Sequence, residues 1–98
     1  MTVHYLKTIS YYWDAIKRGE KNFEVRLDDR GFQRGDILVL HRMRENDPST
    51  YDMDGYGFGA KHKEIRKTIT YILSGGRFGI QAGHVVMALA DPTPEAAP

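Results

Sequence analysis

Hydrophobic and polar positions alternate with different periods along the chain, and each change of period marks an element. Val3–Lys7 is a short apolar-containing run that suits a β-strand. Tyr12 and Ile16 then fall at i and i+4, with Trp13 and Ala15 beside them, so one stripe of a short helix faces a core. Ser10 is placed to cap its first turn, and Asp14 early with Lys17 and Arg18 late complements the helix dipole. Gly19 is a natural C′ residue to end it. From Lys21 the period becomes two: Phe23, Val25 and Leu27 alternate with Glu24, Arg26 and Asp28, the pattern of a half-buried strand. Asp29-Arg30-Gly31 and Gly35-Asp36 read as turns. Further strands are predicted over Ile37–Met43, Lys63–Leu73 and His84–Ala90, with Ser74-Gly75-Gly76 breaking the last two apart and a long loop over 44–60. One main helix and about five strands predict a mostly β, α+β domain: a small, mostly antiparallel barrel with the helix at one end.

Composition narrows the function classes. At 98 residues, 41% hydrophobic and 28% charged, the chain makes one globular domain over 1–90. Residues 91–98 hold three of the four prolines and no base, and read as a disordered Pro/Ala-rich tail. With no cysteine, a disulfide scaffold, a Cys-ligated zinc site and a thiol nucleophile are excluded. The four histidines show no ligand spacing, and Asp52-Met53-Asp54-Gly55 lacks the terminal acid of a calcium loop, so no metal and no cofactor is expected. No apolar run approaches the ~20 residues that span a bilayer, so the expectation is a soluble, cytoplasmic protein without a membrane partner. The net charge of +1 becomes 14 − 11 = +3 without the tail, and bases cluster over Lys17–Arg44 and at Lys61, Lys63, Arg66 and Lys67. These clusters make either a basic face or ordinary solvated strand faces.

The densest polar cluster is Gly19-Glu20-Lys21-Asn22-Phe23-Glu24-Val25-Arg26. At ~3.3 Å per residue, Glu24 and Arg26 project from one strand face about 6.5–7 Å apart, close enough to converge on one ligand or on each other. A regular pleat puts Lys21 on the Phe23 side, so its convergence needs a twist or bulge. Arg26 can grip a phosphate or base edge bidentately, and Lys21 with Glu24 can move protons. The same spacing also makes a plain surface ion pair worth under ~1 kcal/mol.

Gly19, Lys21, Glu24 and Arg26 reproduce the G-x-K-x-x-E-x-R pattern of ASCH domains, the small PUA-like barrels, in the same helix–glycine–strand context. The segments Ile69–Ile80 and Gly83–Leu89 look like a bacterial and phage branch of unknown function within that superfamily, and the likeness spans roughly residues 3–90. The resemblance implies a cleft for RNA or a nucleotide beside the strand carrying Glu24 and Arg26. Some ASCH proteins are amidohydrolases on an acylated cytidine and others ribonucleases; their motif lysine is Lys21 here, but Glu24 stands where the amidohydrolases have threonine.

Three function classes follow. In the first, the domain binds RNA or a nucleotide through Lys21, Glu24 and Arg26, with Lys61, Lys63 and Arg77 as a basic rim and Phe78 stacking on a base. In the second, a small hydrolase uses Lys21 and Glu24 as its acid/base pair in the same cleft. In the third, the domain is a protein-interaction module and the Glu24–Arg26 pair is structural. Gly75-Gly76-Arg77-Phe78-Gly79 is either a cleft wall or a plain turn whose Phe78 plugs the barrel end. Tyr51, Tyr56 and Phe58 form either a stacking platform or a lid. Tyr11, Tyr12 and Trp13 are expected mostly in the core, with one free to line a cleft.

Overall fold

The computed structural model describes residues 1–93; residues 94–98, the greater part of the expected tail, lie outside the described residues. The strands are β1 (Val3–Thr8), β2 (Phe23–Leu27), β3 (Ile37–Arg42), β4 (Met53–Asp54), β5 (Lys61–His62), β6 (Glu64–Ser74) and β7 (His84–Ala90), and the helix α1 (Ser10–Lys17) follows β1. The main sheet runs β1-β3-β6-β7-β2, and β4 and β5 form a small hairpin. Strand content of 44% and a curled, half-barrel sheet with one helix make this a mostly β, α+β fold.

One ladder departs from the antiparallel expectation. β1 runs parallel to β3, pairing Val3 with Ile37 through Thr8 with Arg42, while the other ladders of the sheet are antiparallel. The parallel pair is possible because α1 and β2 lie between these strands in sequence, long enough for a crossover. It leaves β1 and β2 as the two ends of the sheet, with no ladder joining them among the described residues.

The core lies on the concave face, where Leu6, Leu38, Leu40, Ile69, Val85, Met87 and Leu89 meet Trp13 and Ile16 of α1 and Phe32. Two ties fix α1 on β3. The Trp13 indole N–H donates to the Leu40 carbonyl (2.8 Å), and Arg42 grips Asp14 with two bonds (2.8 and 3.0 Å). Buried Asp36 anchors the start of β3 to β1, accepting from the backbone N–H groups of Thr2 and Gln33 and lying 2.9 Å from the His4 ring.

Both ends of α1 bear on the site. Ile9, not Ser10, holds the N-cap position, and no side chain caps the helix. The turn out of β1 falls one residue earlier than expected, so Ser10 is already helical and buried. At the other end Gly19 adopts φ +79°, its N–H donates to Ile16 and the Glu20 N–H to Ala15, a complete Schellman stop. The Lys21 N–H also reaches the Ala15 carbonyl, so the chain folds back under the helix end before β2 begins.

β2 corrects the reading of its alternation. Phe23, Val25 and Leu27 are about half exposed, whereas Glu24 is buried and Arg26 half-buried. The polar residues face inward because Glu24 and Arg26 lie opposite Met87 and Val85, on the concave side, at the edge where β2 passes the helix end. Burial is tolerated because the charges satisfy one another.

Candidate functional site

The open seam between β1 and β2, roofed by α1, forms a cleft of about 710 Å³. Its walls are Lys7, Thr8 and Ile9 at the end of β1, Tyr11, Tyr12 and Ala15 of α1, and Glu20, Lys21 and residues 23–26. Tyr11 and Tyr12 are thus exposed cleft aromatics rather than core, and only Trp13 of the three is buried.

Glu24 is the hub. Its Oε1 accepts from Lys21 Nζ (2.7 Å) and its Oε2 from Arg26 Nε (2.8 Å). Lys21 arrives from the loop under the helix, so no bulge within β2 is needed. Its Nζ also donates to the Phe23 carbonyl (2.7 Å) and lies 5.4 Å from the Tyr12 ring centre and 4.9 Å from that of Phe23. Arg26 reaches across the seam, Nη2 donating to the Lys7 carbonyl (3.0 Å) and lying 3.4 Å from Thr8 Oγ1. Arg30 makes a parallel reach to the Tyr5 carbonyl (3.1 Å). These arginines occupy carbonyls of the β1 edge that no strand pairs. Among the described residues Arg26 Nη1 makes no hydrogen bond, and one of the three Lys21 ammonium protons is unused. The cleft therefore keeps cationic donors after its internal pairs are made. Lys7 adds a third cation, while Glu20 turns to Arg18 (2.9 Å).

The structure brings Lys21, Glu24 and Arg26 together but not the rest of the expected rim. Arg77 and Phe78 sit in the β6–β7 turn and line no part of the cleft. Phe78 is exposed with φ +56°, so it does not plug the barrel. Gly75 is forced by closeness, because a Cβ there would overlap the Gln81 carbonyl. Lys61 and Lys63 lie at the β4–β5 hairpin, where Lys63 is 3.3 Å from Asp52. Tyr56 and Phe58 are fully exposed and cover nothing.

Two further clusters are assembled by the fold, and of their members only Tyr51, one of the loop aromatics read as a stacking platform or a lid, carries a binding signal in the sequence. Arg42 bridges Asp14 and Asp52 (Nη1 to Oδ2, 2.6 Å), tying helix, sheet and hairpin together. The Arg42 hydrogen bonds, above the opposing effect of burial, hold Asp14 below the usual carboxylate range; at Asp52 burial pushes upward but Arg42 and Lys63 outweigh it. On the outer face, Tyr51 and His62 stack in parallel with centroids 4.3 Å apart, and His41 stands edge-on to both. Burial, reinforced by the charge of His62, lowers the His41 pKa.

Comparison with known proteins places the chain in a family. Residues 3–89 match the profile described as "Domain of unknown function (DUF3850)", and the chain belongs to that family. It is also 41% identical over 39 residues to a protein of Escherichia phage P2, "Uncharacterized 12.9 kDa protein in GpA 3'region", a match covering 40% of this chain and 36% of the phage protein. No helix among the described residues is long and apolar enough to cross a membrane.

Proposed function

We propose that this member of the DUF3850 family is an ASCH-like, PUA-type module that binds RNA or a nucleotide in the β1–β2 cleft, in the cytoplasm. The observation that carries the reading is the Lys21–Glu24–Arg26 ladder, two cations held by one buried carboxylate with donors left over in an open cleft. The helix–Gly19–β2 context supports the family likeness, since the Schellman stop is what delivers Lys21 to Glu24. In the bound state Lys21 and Arg26 Nη1 hold phosphate or a base edge, Glu24 fixes both cations in place, and Tyr11 or Tyr12 lies against the base.

Binding measured by anisotropy against tRNA and single-stranded RNA is expected to fall steeply with salt, in proportion to the phosphates contacted. Lys21→Ala is expected to weaken binding about tenfold, as for loss of one charge-assisted contact. It also takes one of the two cations from buried Glu24, so the melting temperature should fall by roughly 5–10 °C and affinity is compared well below the lowered midpoint. Salt-independent binding, or unchanged affinity in Lys21→Ala, would refute the reading. A second reading, a hydrolase, is favoured by one feature: Lys21 Nζ and Glu24 Oε1 are 2.7 Å apart, within proton-transfer reach, in the cleft. Turnover of acylated cytidine or of RNA, abolished in Lys21→Ala, would select it.

A further inference from the structure

We infer, resting on the nucleic-acid reading of the cleft, that the ligand is a single strand longer than one nucleotide, and that a neighbouring base stacks on the Tyr51–His62 pair outside the cleft. Lys7 links the two places. It lines the cleft, yet its Nζ lies 5.5 Å from the centre of the Tyr51 ring. Its partner in the parallel ladder is His41, which stands edge-on to Tyr51 at 5.5 Å and to His62 at 4.9 Å. Tyr5, exposed two residues earlier on β1, is 6.0 Å from His41. An aromatic surface thus begins where the cleft ends, with an ammonium at the boundary.

The surface comes from separate elements brought to one face. Tyr51 is held by its bridge to Met43, and His62 by the β4–β5 hairpin. The rings of Tyr51 and His62 are 2° from parallel, and His62 is exposed, so a further planar ring continues an existing stack.

The charge around the stack favours a polyanion over an acidic or apolar protein segment. Asp52 is taken by Arg42 and Lys63, Asp54 lies 4.0 Å from Lys63, and Glu64 lies 3.9 Å from Arg66. Lys7, over the Tyr51 ring, and Lys61, next to His62 in the hairpin, have no carboxylate partner among the described residues. A phosphate between the cleft base and the stacked base would meet Lys7, whose weak contact with Tyr51 is readily given up.

The test is calorimetry with two probes, a mixed-sequence single-stranded RNA hexanucleotide and a mixture of nucleoside 5′-monophosphates. The hexanucleotide is expected to bind at least about tenfold more tightly, the usual worth of a stacked base. His62→Ala, at an exposed two-residue strand, and Tyr51→Ala should each cut hexanucleotide affinity about five- to tenfold and leave monophosphate affinity unchanged. Lys7→Gln should also narrow the difference between the probes. Equal affinity for both probes overturns this inference while leaving the cleft reading intact, as does hexanucleotide affinity untouched by His62→Ala. Monophosphate binding without hexanucleotide binding also overturns it, and assigns the stack to a different kind of partner. Binding of neither probe overturns both readings.

Discussion

Arg26 is built as a strut, and replacing it should cost stability before it costs anything else. Its side chain is 27% exposed and its Nε donates to a Glu24 carboxylate that is only 5% exposed. Nη2 closes the seam on the Lys7 carbonyl. The charge-assisted bond to Glu24, discounted for the partial exposure of Arg26, is worth about 1.5 kcal/mol, and the seam bond adds about 1 kcal/mol. The 3.4 Å approach to Thr8 Oγ1 adds little. Arg26→Ala leaves Lys21 to hold Glu24 alone, and the Lys7 carbonyl rehydrates in the open seam rather than being orphaned. The expected loss is about 2–3 kcal/mol, a drop of roughly 10–20 °C in melting temperature for a domain of this size. Arg26→Lys keeps a cation near Glu24 but cannot span to Lys7 at the same time, so it should lose about 1 kcal/mol. Thermal melts by circular dichroism, with urea titration for the free energies, read all of this directly. RNA affinity should be measured well below the lowered midpoint, so that unfolding does not masquerade as a binding defect. If Arg26→Ala melts within about 2 °C of the parent chain, the strut carries no strain-free load and the seam argument is wrong.

Gly75→Ala should destabilise by about 3 kcal/mol, because its Cβ meets the Gln81 and His84 carbonyls of a closed turn, whereas Gly76→Ala, with open space but φ +89°, should lose only about 1–2 kcal/mol; similar melts for the two would refute the steric account. Stability should also fall in acid. At Asp36 burial pushes the pKa upward, but His4 and the Thr2 and Gln33 amides outweigh it, so it ends below 3.8, as Asp14 and Asp52 do. A carboxylate with a depressed folded pKa contributes in full above its unfolded value and loses that contribution as pH drops through the folded one. The melting temperature should therefore decline from about pH 4 downward, and Asp36→Asn should shallow that decline; a profile unchanged by the substitution would refute it.

The elements themselves were largely readable from residue patterns. Gly19 as a helix stop, the β7 limits His84–Ala90 and the break at Ser74-Gly75-Gly76 follow from local chemistry that tertiary packing does not override. The helix start was not, because the position of the first turn depends on where β1 releases the chain, and that is set by the parallel ladder to β3 rather than by Ser10. A strand's period says which residues share a face, never which face is inside. For β2 the apolar set Phe23, Val25 and Leu27 invited the wrong choice. The inward side of this edge strand meets the mouth of the half-barrel, where a carboxylate with two cations is as well satisfied as a hydrocarbon in the core.

The same distinction explains what was legible of the site. Lys21, Glu24 and Arg26 lie within six residues, so one turn and one strand suffice to gather them, and a local motif can announce them. Tyr51, His62 and His41 are brought together only by the β3–loop–hairpin path, and Arg42 finds Asp14 and Asp52 across separations of 28 and 10 residues. No periodicity encodes such contacts. Lys7 shows the consequence: in sequence it is one more base near the end of a strand, yet the parallel ladder sets it against His41 at the lip of the cleft. Its place beside both the cleft and the aromatic stack comes from adjacency in the fold, which is why the further half of the proposed binding surface depends on tertiary structure and the nearer half on local sequence.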